Sequence, residues 1–503
     1  MSPDDLLDYI RGISNKEKIL TFSLTIILLI TPLIVLSSIS REKKETRSQA
    51  QEISIESLNT KILLNNKTGK KGENKSLLEQ RKKQMLKLAK ENPREFLSKA
   101  IIKETRESFP QDQKALIEEK ASLSGELVSY HSDDFDKKVS KKGYMIRTKD
   151  IIYGLNIADD SPDKILEAGI VALDPYVLDN QLVAESGNIT YQTTFEPSGA
   201  LGVIPFMVIP INFINDRSRP YTISQIRRTF FGENNSLSEY YSKLSNGRSR
   251  IIGDVHSWVE LDNVRKGEIC EDAGRNQALS ETRRIYDAES YRGVIFVFPP
   301  QECNWAGIAT VGGYPSWSFI DRLEMRTISH EIGHNLNLVH ANLVRCHQGG
   351  CREFQYGDKS DTMGDSFAGM NNSHLRALRF LRNSSIREFT SNGRYRVYKQ
   401  GSGSYPQSIK FDIPSDPWDI YIEYRGRKAG YDENVPYPLG AGILIYEWDG
   451  HPWHETKLID ITPLDNNPNN LVVRDGQSER LTGITVRQIS HDGDFALISI
   501  RKN

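Results

Sequence analysis

The chain has 503 residues, with 65 basic side chains against 66 acidic ones and a formal charge of −1. It offers no net positive field to gather nucleic acid, which is not expected as a partner. It is too long for one ordinary core and leaves room for two or three folded units. Its four cysteines, Cys270, Cys303, Cys346 and Cys351, all lie in the second half. An even count fits two disulfides in an oxidising space or four reduced thiols.

After a short N-terminal flank, residues 1–18, the stretch 19–40 carries no charge. As a helix rising 1.5 Å per residue it is long enough for the roughly 30 Å hydrocarbon layer, so an uncleaved transmembrane helix with the lipid bilayer as its partner is expected. Basic residues flank it almost evenly, and charge alone sets no orientation. Residues 41–120 turn polar, with breaks at Gly69, Gly72, Pro93 and Pro110, as in a partly helical stalk or pro-segment. Residues 121–200 break into short alternating runs punctuated by Asp, Gly, Ser and Pro, which predicts a small β-rich domain with no visible chemistry. A unit over 201–390 opens with an apolar strand, Val203 to Phe213. Helices over Tyr221 to Phe231 and Leu237 to Leu244 and a buried strand over Gly293 to Phe298 follow. Residues 391–503 return to short strands separated by turns, as in a C-terminal β-sandwich-like domain.

The chemistry is concentrated in TISHEIGHNLNLVH, Thr327 to His340. On a helix, His330 and His334 lie one above the other on one face, where both imidazoles reach one ion. Glu331 stands beside them, where a carboxylate can take a proton from the attacking water and return it to a leaving amine. A helix continued to residue 340 would carry it off that face, because six residues make about 1.7 turns. Asn337 is suited to end the helix, since Asn readily takes the left-handed conformation; His340 then returns as a third ligand. Three neutral imidazoles leave a fourth position open, as catalysis requires. The joint pattern is far rarer by chance than a lone surface or core histidine.

The His330 to His340 segment resembles the extended zinc motif of metzincins, and QYGDKSDTMG, Gln355 to Gly364, is similar to the second signature of the gametolysin-like metallopeptidases. The likeness extends from about Val203 onward. It takes in VIPINFINDRSRPYTISQIRRTFFGENNSLSEYYSKLSNGR (Val208 to Arg248), WAGIATVGG (Trp305 to Gly313), WDIYIEYRGRKAGYDE (Trp418 to Glu433) and GILIYEWDG (Gly442 to Gly450). The resemblance implies an α+β fold, a metzincin-like zinc peptidase core with flanking β-rich domains behind the one N-terminal transmembrane helix. It implies one catalytic Zn2+ and a methionine turn in which Met363 forms an apolar floor beneath the imidazoles. The expected activity is that of a zinc endopeptidase cleaving protein or peptide substrates. The expected location is the cell membrane, single-pass, with the catalytic domain extracellular. Three departures stand out: Asn337 where most metzincins have Gly, Asp365 where a Tyr would follow the methionine, and no Cys before Cys270 to serve the family's thiol-based latency.

Disulfides Cys270–Cys303 and Cys346–Cys351 are expected in preference to a second metal site using His347. His374 should begin a helix after the methionine turn and border the cleft. Asp358 and Asp361 are expected to hydrogen-bond around the turn or to contribute to a structural Ca2+ site. His131, His256, His451, His454 and His491 read as surface or packing residues, and the C-terminal domain as a surface for glycan or protein contact. Two other readings stand beside the peptidase: a membrane-anchored adhesion module retaining a zinc domain, and a zinc hydrolase of a non-peptide bond. Retention of Glu331 weighs against the first, because a structural zinc site needs no base.

Overall fold

The computed structural model describes residues 53–149, 151–159, 168–194, 199–285, 287, 290–301, 303–313, 315–347, 350–414, 416–462, 467 and 470–503. The stretch 19–40 lies outside them. Among the described residues no helix is long and apolar enough to cross a membrane. Asn74–Glu91 has the length, at 18 residues, but its sequence NKSLLEQRKKQMLKLAKE is studded with charge. The expected transmembrane helix, the bilayer as partner and the single-pass membrane location are corrected accordingly.

The chain divides into two compact units, one made of residues up to Met85 with Glu104–Ile117, the other of Leu86–Lys103 with Glu118–Asn503. In the first, helix Ile55–Lys67 is capped by Ser54, whose side chain accepts from the Ser57 amide, and it buries Ile55, Leu58 and Ile62 at helical spacing.

The second unit is built on a sheet whose middle strands are β1 (Leu123–Asp134), β2 (Val139–Arg147), β3 (Gly202–Asn212), β4 (Ser249–Val255), β5 (Gly293–Val297), β6 (Gly307–Thr310) and β7 (Ser316–Ile320). Their spatial order is β2-β1-β6-β7-β5-β3-β4. The strands β4, β3, β5 and β7 run parallel, and β6 runs antiparallel to β7. Every residue of β5, β6 and β7 is buried, which explains their continuous apolar or small-residue runs. Helix α1 (Ile223–Phe231) starts with a capping box between Thr222 and Gln225. Helix α2 (Leu237–Leu244) is capped by Ser236. Both bury one face, Ile226, Phe230, Tyr240 and Tyr241, against Phe206, Val208, Ile251 and Ile295 of the sheet.

On its outer side β6 would leave a row of amide and carbonyl groups without partners. Strand β1 covers that edge, antiparallel, with Asp133 opposite Gly307 and Tyr130 opposite Thr310. The β-rich stretch before residue 200 is therefore continuous with the sheet that follows it.

Beyond β7, helix α3 (Met325–Asn335) leads into the hairpin of β8 (Ala341–His347) and β9 (Gly350–Phe354). A short helix, α4 (Asn372–Ala377), follows. Strand β8 pairs in parallel with Thr456–Ile459 and so belongs to an eight-stranded sheet otherwise built largely from the last third of the chain. That sheet shares a core with a four-stranded one, through Ile409, Ile422, Ile443 and Ile445 on one side and Val397, Val486, Ile498 and Ile500 on the other.

All four cysteines are paired, Cys270 with Cys303 and Cys346 with Cys351. The first pair spans 33 residues and the second 5. Loop entropy then assigns more stabilisation to the first, about 2–4 kcal/mol. Denaturant unfolding of C270A/C303A should show a loss of that size and exceed the loss in C346A/C351A.

Candidate metal centre

Helix α3 carries His330 and His334 on one face, with ring centroids 4.9 Å apart. It stops where the spacing requires. Leu338 donates its amide to the Gly333 carbonyl at 2.9 Å and Asn337 donates to His334 at 2.9 Å, the two bonds of a Schellman ending. Asn337 takes the left-handed conformation, φ 73°, and its side-chain oxygen accepts from the Trp453 indole at 3.3 Å. The chain then reverses, and the His340 ring comes to 4.9 Å from His334 and 5.4 Å from His330. His340 is held from outside: its carbonyl accepts from the Thr456 amide at 3.2 Å, beside the β8 pairing.

The Nδ1 atoms of His330 and His334 lie 2.8 Å from the carbonyls of Thr362 and Leu338. Those bonds fix Nδ1 as the donor in the neutral rings and leave Nε2 with its lone pair toward the common centre. All three imidazoles are buried. Burial depresses His330 to about 4, against the pull of Asp133, and lowers His340 as well. Neutral, inward-facing imidazoles are a cation's ligands.

A fourth group completes the cluster. Asp133, at the end of β1, places one carboxylate oxygen 3.0 Å from His334 Nε2 and 3.3 Å from His330 Nε2, and the other 3.2 Å from His340 Nε2. Among the described residues Asp133, His330, His334 and His340 are the group able to hold a metal ion. Because side chains alternate along a strand, His131 and Phe135 face the same way as Asp133. His131 stacks on His334 at 5.0 Å, and Phe135 meets His330 edge-on at 4.9 Å. The sequence predicted no chemistry in this stretch and read His131 as an ordinary packing or surface residue; it is buried against two of the imidazoles. Opposite, Tyr356 donates its hydroxyl to Asp133 at 2.5 Å. The local signal for Asp133 was the alternation His131, Asp133, Phe135; Tyr356 lies in the QYGDKSDTMG stretch, which marked the methionine turn but not the tyrosine.

Glu331 is buried, and neither of its carboxylate oxygens has a hydrogen-bond partner among the described residues. Burial, and then the charge of Asp133, push its carboxyl well above the usual range. Its outer wall is Gly307 of β6, where an added Cβ would stand 2.3 Å from Glu331 Oε1. Gly333 plays the same part below: a Cβ there would stand 2.3 Å from the sulfur of buried Met363. The Met363 amide donates to Asp361 at 2.8 Å. Asp361 also accepts from the Asn371 amide and lies 2.9 Å from His374 Nδ1. His374 sits in α4, buried, bound to Asp361 rather than joined to the cluster. Asp358 accepts from Ser360 and Tyr437, so both aspartates are engaged in hydrogen bonds around the turn. Asp365 pairs with Arg326 and Lys138.

Two substitutions test this construction. Asn337→Ala puts a Cβ-bearing residue without a local polar group in the left-handed region and removes the Trp453 bond, so thermal or denaturant unfolding should show a loss of about 1–3 kcal/mol. Gly307→Ala should leave metal content unchanged while displacing Glu331; a crystal structure with Glu331 unmoved would refute the contact.

Residues 218–380 match the family model described as Gametolysin peptidase M11. No curated protein matches the chain. Among solved structures, a chain from "Structure of a chaperone-substrate complex" is similar at 15% identity and a TM-score of 0.20, over 40% of this chain and 31% of that one. This chain thus spans less than a third of that structure's length, and a likeness so slight carries no argument. The family match takes in the three histidines, Glu331 and Met363, and over residues 218–380 the chain is similar to the gametolysin-like metallopeptidases.

Proposed function

We propose that the protein is a zinc-dependent endopeptidase in which Glu331 is the general base. The observation carrying this reading is the buried convergence of three imidazole Nε2 atoms, two of them from the helix that also carries Glu331, a carboxylate without a hydrogen-bond partner among the described residues. His330, His334 and His340 would hold the ion. Zinc bound there would polarise the scissile carbonyl and acidify a water molecule. Glu331 takes the proton of the attacking water on a carboxylate oxygen and returns it to the leaving nitrogen. Tyr356, whose hydroxyl reaches the carboxylate oxygen nearest His340, donates to a substrate oxygen in that position as negative charge develops. It takes the part left open by Asp365.

A peptide is favoured over a non-peptide substrate by the edge strand. Strand β6 already pairs with a stretch of extended backbone in β1, and an edge that accepts one strand suits another. Met363 supplies the apolar floor and no chemistry.

The test is made in an Asp133→Ala chain cleaved between β2 and β3, so that β1 is free to leave the β6 edge, since Asp133 and its strand stand where substrate must enter. Adding Glu331→Ala should preserve metal content, measured by elemental analysis, while peptide cleavage falls by about 100-fold or more. Adding Tyr356→Phe instead should lower kcat on the order of 100-fold with little change in KM. Undiminished turnover by a Glu331→Ala chain that retains metal would rule out the proposed base.

A further inference from the structure

Strand β1 belongs to the part of the chain before the family match, yet its last turn of alternation reaches the centre of the site. Asp133 is fully buried and its two oxygens face three imidazole nitrogens at 3.0 to 3.3 Å. For His330 and His334 those nitrogens carry lone pairs, since Nδ1 of each is committed to a carbonyl. An acceptor oxygen facing acceptor nitrogens in a dry interior is repulsive and costly. A cation among them reverses the sign: carboxylate and imidazoles become four ligands of one ion, with the tetrahedral count of a closed zinc site.

The placement is reinforced on every side. The Asp133 carbonyl accepts from the Ala306 amide at 2.8 Å, and the Val311 amide donates to Ser129 at 3.0 Å, which locks the register on β6. Tyr356 holds the carboxylate. Phe135 is packed between His330 and the Arg326 guanidinium. Lys138, past the strand's end, pairs with Asp365 at 2.7 Å. An incidental contact would leave the edge of β6 or the face of the metal open; this strand covers both.

We propose that Asp133 is a fourth metal ligand and that β1 is a built-in occupant of the substrate cleft, so that the intact chain is a latent form whose site opens when β1 is withdrawn. The inference rests on the metal reading above. With four protein ligands there is no position for water, and with β1 on β6 there is no edge for a peptide. The role that a thiol would fill by resemblance is filled by an oxygen ligand delivered on a strand.

The experiment uses the intact chain loaded with Co2+, whose visible absorption reports its ligands, with acetohydroxamate as a small chelating probe. The wild-type spectrum should be insensitive to acetohydroxamate at concentrations that saturate Asp133→Ala and Asp133→Asn, an apparent affinity at least about 100-fold weaker if the closed form exceeds 99%. Pulsed electron paramagnetic resonance of the wild-type cobalt protein in deuterated water should show no exchangeable water on the metal, a measurement that does not depend on any variant folding. Cobalt bound with a coordinated water, or wild type and variants binding acetohydroxamate alike, would overturn the ligand role of Asp133 and leave the metal reading intact. A wild-type chain that takes up no metal would overturn both.

Discussion

Three imidazole nitrogens converge on one point with no solvent around it, and most of the surrounding structure exists to hold them there. Imidazoles so buried lose hydration, and a cation at their common centre would replace it. Their positions are therefore over-determined. The α3 backbone spaces the first two, carbonyls of Thr362 and Leu338 fix their tautomers, and a left-handed Asn337 turns the chain so that the third can come back. Gly307 and Gly333 are small because Glu331 and Met363 need the room.

How much of this could be read from the sequence followed sequence distance. His330, His334 and Glu331 were legible because a helix repeats every 3.6 residues and four positions apart means one face. The stop at Asn337 was legible from backbone preference alone, and the Cys346–Cys351 pair from its short loop. Asp133 was not, because it meets His334, 201 residues later, and the alternation of His131, Asp133 and Phe135 does not say what that face meets. Residues 131–134 are mixed polar ones with no apolar alternation, yet β1 runs through them to Asp134. Those polar residues meet the imidazole cluster, not an apolar core. Tyr356 escaped for the same reason: it reaches the site from a loop before the methionine turn. The apolar stretch at 19–40 lies outside the described residues, among which no helix is long and apolar enough to cross a membrane.

The strands of the last third of the chain are part of the metal centre's support. The sheet that contains Thr456–Ile459 takes in β8 and positions His340, and Trp453 reaches the helix stop at Asn337. Arg425 donates to the Ser360 carbonyl and Tyr437 to Asp358, which braces the loop before Met363. A glycan- or protein-binding role for this part of the chain has to be compatible with that service, because disturbing these strands disturbs the third histidine.

The choice of oxygen rather than sulfur at the end of β1 has a consequence for how the site responds to its surroundings. A thiolate can be oxidised, alkylated or captured by mercury, and each of these frees the metal it covers. A carboxylate has none of that chemistry. Held by backbone bonds from Ala306 and Val311, at the two ends of β6, and by a Lys138–Asp365 pair, Asp133 under the proposed latency leaves with its strand, so release would answer to withdrawal or cutting of the backbone and not to thiol chemistry at the metal.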